Sequence, residues 1–334
     1  MDFLTYHKSA DFVFYEELLR KEGINLHTIE DNNSLRRFLK LRSFIRNGNY
    51  RAVLSFLETP SLTAELASIP FRRWKLIVGE RSSNPTILNT IKGRLLRWGH
   101  LLADNVVSNS ESNRQLIKKA CPLLSDKVTK VIYNGYDLTA LHPNLYNYVP
   151  RRDGRLHIIV AARHQVLKNL LGLVKAILLL NNEERNKLAI NWYGAKTHEW
   201  EMPEYVESRR LIDQEQLSDT ISFFPPTSDI YKAMASADAI GLFSVYEGLP
   251  NTVCEGMCLG KPVIATDVSD NLLLLENKEL VPSPNSPKEI ANSLRYLMSM
   301  SNEELQAIGR KNRQKAETLF NIEKIVEDYF QLLL

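Results

Sequence analysis

Two hydrophobic rhythms alternate along the chain. Short apolar runs read as strands at Asp2–Tyr6, Asn25–Ile29, Ala52–Leu57, Leu76–Val78, Val106–Ser108 and Val128–Ile132. In the second half they read as strands at His157–Ala162, Ala189–Trp192, Ile221–Phe224, Ala239–Ser244 and Pro262–Thr266. Between them, apolar residues recur every three or four positions, as in Phe12–Lys21, Ser34–Arg46 and Asn169–Leu180, which predicts helices. Strands that alternate with helices predict parallel sheets covered on both faces. The segment HPNLYNYVPRRDG, residues 142 to 154, is rich in Pro, Asn and charge and precedes a fresh apolar strand. Such a stretch marks a domain boundary. The pattern therefore predicts an α/β chain with one domain over 1–149, a second over 150–320 and a terminal helix over 321–334. Open α/β sheets take ligands outside the carboxyl ends of their strands, so the chemistry is expected in a cleft between the domains.

Composition adds bounds rather than detail. A chain of 334 residues is long enough for two cores. Three cysteines, Cys121, Cys254 and Cys258, make no disulfide framework and have no metal-ligand spacing, which suits a reducing compartment. No apolar run reaches the roughly 18 residues that span a bilayer. Residues 1 to 20 are broken by Asp2, His7, Lys8, Asp11, Glu16 and Glu17, so no signal peptide is read there and a cytoplasmic location is expected. Charge is uneven: 21 Lys and Arg face 14 Asp and Glu over residues 1–150, but 21 face 25 in the remainder. A basic first half suits phosphate, nucleic acid or lipid headgroups, or is simply a solvated surface.

The richest stretch is SVYEGLPNTVCEGMCLGKPVIATD, residues 244 to 267. Glu247 follows a strand, in the loop at its carboxyl end, and Glu255 lies about one turn into the next helix. That helix is expected to begin near Pro250 to Thr252, with proline at a first helical position where its missing N–H costs nothing. Gly248 permits close backbone approach to a ligand. The amides across residues 249 to 252, with the helix dipole, suit a diphosphate. A second reading of the same residues is a Thr252-x-x-Glu255 capping box, which accounts for Glu255 but not for Glu247. No Gly-x-Gly-x-x-Gly follows a strand, LGKPV lacks the P-loop spacing, and no HExxH or paired His/Cys set suggests a metal.

EGLPNTVCEGMCLGKPVIATD resembles the signature of retaining glycosyltransferases of family 4, which have the GT-B fold of two Rossmann-like domains facing each other across a cleft. The resemblance covers about residues 50 to 334 and implies that Glu247 contacts hydroxyls of a donor sugar and Glu255 the ribose of its nucleotide. Gly248, Leu249, Pro250 and Asn251 would lie against the diphosphate. IIVAARHQVLKNLLGLVKAI, residues 158 to 177, resembles the family's Arg-x4-Lys element, implying that Arg163 and Lys168 bind the diphosphate. The Phe224–Pro226 loop in FFPPTSDIYKAMASADAIGLFS would lie where the family holds the base, and Tyr193–Gly194 would close another strand facing the same cleft, or both serve as packing and turn residues. Asn134 and Gly135 read as turn formers. The terminal helix would cross back onto the first domain, or merely complete the second.

The chain also departs from that pattern. DFLTYHKS at the start resembles the family's second strand, and its first strand and Gly-Gly loop have no counterpart. Strand 2 then needs a different neighbour, or a core edge stays unpaired. Where family members often carry Gly-Gly, this chain has Ser269-Asp270-Asn271. His100 is a weak match to the acceptor-domain histidine. Glu80 and Arg81 in GERSS are the acceptor-side candidates, with an interdomain ion pair as the plainer role. In IKGRLLRWGHLL, residues 91 to 102, Ile91, Leu95, Trp98 and Leu102 share a helical face flanked by Lys92, Arg94 and Arg97. That face suits an anionic membrane surface, or packing on its own domain.

The resemblance implies a metal-independent retaining transferase, without cofactor, that moves sugar from a nucleotide-diphosphate sugar to a saccharide or lipid-linked saccharide. It implies polysaccharide synthesis at the inner face of the membrane and no nucleic-acid partner. A non-catalytic nucleotide-sugar-binding module, a truncated inactive transferase and a sugar-nucleotide epimerase on the same scaffold are the competing readings.

Overall fold

The computed structural model describes residues 1–6, 12–81, 84–126, 128–146, 148–151 and 153–334. His7 to Asp11, Ser82, Ser83, Lys127, Asn147 and Arg152, which the readings above touch, lie outside the described residues. Among the described residues, eleven strands follow the predicted order: β1 (Asp2–Thr5), β2 (Asn25–Thr28), β3 (Ala52–Phe56), β4 (Lys75–Glu80), β5 (Asn105–Ser108), β6 (Thr129–Val131), β7 (Leu156–Ala161), β8 (Leu188–Tyr193), β9 (Ile221–Phe224), β10 (Ala239–Leu242) and β11 (Val263–Ala265).

All strand pairs are parallel. β3 to β6 form a four-stranded sheet in chain order, while β7 to β11 form a five-stranded sheet in the order β11-β10-β7-β8-β9. The central strands are buried on both faces, as their unbroken apolar runs require: Leu156, Ile158, Ile159 and Val160 of β7 are each at most 4% exposed. Chain direction across the second sheet reverses between β7 and β10. Their carboxyl ends therefore diverge into a crevice, the place where such sheets hold ligands.

The first domain begins differently from a single continuous sheet. Among the described residues, β1 pairs only with β2, in a separate two-stranded sheet. It is tied to the main body by packing rather than by a ladder, with Leu4 against the cluster of Ile45, Ala64, Trp74, Leu76 and Val78. The neighbour that β1 acquires is thus β2, and β3 starts the main sheet.

Two chain crossings join the domains. The amide of Tyr136 donates to the carbonyl of Phe320 at 2.9 Å, and Phe320 meets Tyr133 and Tyr136 edge-on. Beyond it, the helix Ile322–Leu333 lays Ile325, Tyr329, Leu332 and Leu333 against Ile77, Val107 and Ile132 of the first domain.

One predicted face changes. Arg97 does not flank an exposed stripe; it is 1% exposed and pairs with Glu58 at 2.7 Å and Glu80 at 3.0 Å. Ile91, Leu95 and Trp98 stay 80%, 65% and 46% exposed, beside exposed Lys92 and Arg94, while Leu102 is half-buried.

Candidate functional site in the interdomain cleft

Glu247 and Lys168 come from opposite sides of the switch point. Lys168 ends the turn after β7, and Glu247 lies in the loop after β10. The ammonium of Lys168 donates to Oε1 of Glu247 at 2.5 Å, and the hydroxyl of Ser244 donates to the same oxygen at 2.6 Å. The amide of Val245 donates to the carbonyl of Leu167 at 2.8 Å, locking the two loops side by side. The pair is mostly shielded from water. Oε2 of Glu247 and two N–H groups of Lys168 remain for a ligand.

Arg163 is exposed, with no side-chain partner among the described residues. The turn that carries it is rigid. His164, next to it, is buried in a box of Trp192, Trp200, Tyr205 and Phe223, with ring centroids 5.9, 4.4, 6.0 and 5.5 Å away. Burial, then the charge of Lys196, push the His164 pKa down to about 4. Gly194 presses on the same turn, since a Cβ there would lie 1.9 Å from the carbonyl oxygen of Ala162. Tyr193 and Phe224 end the adjacent strands β8 and β9 in register and stack at 4.8 Å and 17°.

The helix Asn251–Cys258 begins one residue later than proline at a first helical position would place it: Pro250 is the residue before the first turn, with no side-chain cap. The amides of Leu249, Asn251 and Thr252 donate to nothing among the described residues. The predicted capping box does not form. The Thr252 hydroxyl donates to the carbonyl of Ala161 at 2.8 Å, and Glu255 accepts from the Tyr231 hydroxyl at 3.2 Å. Burial raises the Glu255 carboxyl above the usual range, and the Tyr231 hydroxyl offsets part of that rise.

Gly248 admits a different neighbour from the expected ligand. A Cβ there would sit 2.4 Å from the backbone oxygen of Arg81, so the first domain's backbone closes onto this glycine. Asn251 also spans the domains, its Oδ1 accepting from Asn134 Nδ2 and the Tyr136 hydroxyl, both at 2.8 Å. Asn134 is therefore more than a turn former. Arg81 donates to Asn134 and to the Tyr329 hydroxyl and lies over the Phe56 ring. Arg81, Asn134, Tyr136, Asn251, Glu255 and Tyr329 line a pocket of about 380 Å³.

Glu80 is a correction. It is 3% exposed, its Oε2 accepts from Arg97 at 3.0 Å, and its Oε1 meets His100 at 3.2 Å. It faces the interior of its own domain and pairs there rather than across the domains. His100 is 2% exposed and bridges Glu80 and Glu65, the latter at 2.6 Å. Burial alone would lower its pKa, but hydrogen bonds and charge from the two carboxylates outweigh it and hold it at about 9.

Several site residues escaped the sequence reading. Tyr231, Ser244 and Tyr136 gave no signal beyond position. Asp270 did stand out as an acid where the family often has glycine. Its side chain accepts from the amides of Glu111 and Ser112 at 2.7 and 2.8 Å, and from the Tyr133 hydroxyl at 3.0 Å. Among the described residues, no group of three or more His, Cys, Asp or Glu is placed to hold a metal ion.

Two facing α/β domains with a crevice at the β7–β10 switch point define the GT-B class of architecture. Residues 148–315 match the model of the glycosyl transferases group 1 family, and the chain belongs to that family. It is 28% identical over 251 residues to WcaL of Escherichia coli (strain K12), a glycosyltransferase named for colanic acid biosynthesis, covering 72% of this chain and 58% of that one. It is 23% identical over 236 residues to an N-acetylgalactosamine-N,N'-diacetylbacillosaminyl-diphospho-undecaprenol 4-alpha-N-acetylgalactosaminyltransferase of Campylobacter jejuni, covering 69% of this chain and 61% of that one. The chain thus spans less than two thirds of the length of these relatives. Among solved structures, Anabaena HepE in complex with UDP and glucose superposes with a TM-score of 0.78 at 18% identity, over 100% of this chain and 99% of that one. Sucrose-phosphate synthase from Thermosynechococcus elongatus superposes at 0.74 and 15% identity, over 98% and 94%. These likenesses establish the fold.

Proposed function

We propose that the chain is a retaining glycosyltransferase of family 4 that takes its sugar from a nucleotide-diphosphate donor held by the second domain. The observation that carries this is the assembly at the switch point. A shielded Glu247–Lys168 pair, Arg163 without a side-chain partner among the described residues, and the amides of Leu249, Asn251 and Thr252, unused among them too, converge where a diphosphate sugar would lie.

Departure of the nucleoside diphosphate is the step that needs help. Arg163, Lys168 and the helix amides are fixed in advance to receive the developing negative charge. In this reading they carry out the neutralisation and no metal takes part. Glu247 orients the sugar hydroxyls through its remaining oxygen, while Glu255 takes the ribose. The anomeric C–O bond breaks, the leaving phosphate accepts the acceptor's hydroxyl proton on the same face, and the new glycosidic bond forms there. Donor turnover by Glu247→Ala and Arg163→Ala is expected to fall at least a hundredfold, roughly the loss of a few kcal/mol of transition-state stabilisation. Wild-type rates in both would overturn the donor site. Because the HepE complexes contain UDP, titration calorimetry begins with UDP, then GDP and ADP.

The acceptor in this proposal is a saccharide or lipid-linked saccharide of cell-surface polysaccharide synthesis, a class to which the named relatives point. Exposed Ile91 and Leu95 beside Lys92 and Arg94 support peripheral contact with an anionic membrane, although the Trp98 indole donates to the Ala120 carbonyl of its own domain at 3.1 Å. Co-sedimentation with vesicles containing anionic phospholipid is expected, and its absence would end the membrane assignment. No helix among the described residues is long and apolar enough to cross a membrane.

A further inference from the structure

The carboxylate of Asp270 is fully buried, and its three hydrogen-bond donors come from the far side of the cleft. Glu111 and Ser112 are the first two residues of the helix Glu111–Ala120, capped by Ser110, and Tyr133 follows β6. None of these donors belongs to the domain that carries Asp270. A buried carboxylate costs free energy unless its charge is met. Here it is met by two unsatisfied amides and the positive end of a helix dipole. When the domains part, water meets it instead. The contact is thus favourable when closed and inexpensive when open, as a reversible fastening requires.

The same contact reaches the ligand loop. The Ser112 hydroxyl donates to the carbonyl of Ser269 at 2.7 Å, and the Ser269 hydroxyl donates to the carbonyl of Gly248. Gly248 is the residue onto which the Arg81 backbone closes. From the helix Glu111–Ala120 to the Gly248–Asn251 loop there is therefore a continuous line of hydrogen bonds across the cleft.

We propose that Asp270 is an interdomain latch: its carboxylate, seated on the amino terminus of the helix Glu111–Ala120, holds the first domain closed over the Gly248–Asn251 loop, and its release opens the cleft. The latch goes beyond the transferase reading and does not depend on it, because closure can be read without any donor or acceptor.

Two variants on opposite domains test it. Asp270→Asn keeps the shape but leaves one amide facing an amide nitrogen and removes the charge from the helix end. Glu111→Pro removes one donating N–H at the first helical position, where proline is tolerated and the preceding Ser110 is already extended (φ −154°, ψ 156°). Small-angle scattering and electron–electron distances between spin labels at Lys92→Cys and Lys288→Cys, both exposed sites, report the separation of the domains. Both variants are expected to show a larger radius of gyration and a longer, broader distance distribution than the parent, with unchanged circular dichroism. Parent-like values in both overturn the latch. If one variant loses its fold, the other decides; if both lose it, the contact is structural and the latch is equally overturned. Loss of donor turnover in the parent protein would count against the transferase reading alone.

Discussion

Lys168 and Glu247 meet at 2.5 Å across the point where the strand order of the second sheet reverses. The pair joins the cation assigned to the diphosphate to the acid assigned to the sugar. Each side chain holds the other in place before a ligand arrives. Removing one partner would leave a mostly buried charge unmatched, a larger loss than the pair itself contributes. Lys168→Met and Glu247→Gln are each expected to destabilise the second domain by about 1–3 kcal/mol, and the double variant by less than the sum of the two. Chemical denaturation of the four proteins closes the cycle. Additive losses would show that the pair carries no coupling.

Much of the architecture could be read from local pattern. β7 and β10 announce themselves as unbroken apolar runs because both their faces are covered, and the Glu247–Glu255 stretch carries its own spacing. The contacts that decide roles were not legible, because they join residues far apart in the chain. Glu80 at the end of β4 looked like a cleft residue, but Arg97 and His100 turn it inward from the other side of the same domain. Lys168 and Glu247 were both identified, yet nothing in spacing places an ammonium of one loop on a carboxylate 79 residues away. Asp270 was visible only as a departure from glycine. Its partners, Glu111 and Ser112, lie 159 and 158 residues earlier.

Glu255 separates ligand binding from helix stability. Its carboxylate makes no bond to the amino terminus of its own helix, so Glu255→Gln should leave the thermal midpoint nearly unchanged. Loss of a charged hydrogen bond to a ribose is worth about 1.5–3 kcal/mol, so nucleotide affinity should weaken roughly tenfold or more. Because burial raises this carboxyl, parent affinity should begin to fall at a higher pH than an ordinary glutamate would impose. Calorimetric titration alongside thermal melts checks both. A large drop in midpoint with unchanged affinity would return Glu255 to a purely structural role.

Gly248 lies against the backbone of the first domain. Any side chain there must displace the Arg81 carbonyl, because its Cβ would lie 2.4 Å from that oxygen. Gly248→Ala is expected to cost about 1–3 kcal/mol in the closed form and little in the open one. Scattering should then show a more open particle, with donor turnover reduced in parallel. An unchanged radius of gyration would mean that the loop yields locally and the domains do not.

Two buried histidines set opposite limits on stability. His100, held at about 9 against an ordinary value of 6.5, binds its proton more tightly in the folded chain than in the unfolded one. Its contribution is whole below about 6.5 and fades as pH rises through about 9. His164, depressed to about 4 by burial and Lys196, acts in reverse. Its contribution is whole above about 6.5 and is lost as pH falls towards about 4, where the unfolded chain gains a proton that the aromatic box excludes. The thermal midpoint should therefore be highest near neutrality. His100→Gln should flatten the alkaline decline relative to the parent, and His164→Phe, which suits the box, should flatten the acid decline. Melting curves from pH 4 to 10 give the differences directly. Parallel profiles for the parent and His100→Gln would mean that the Glu65–His100–Glu80 bridge does not hold its proton, leaving Arg97 as the cation paired with Glu80.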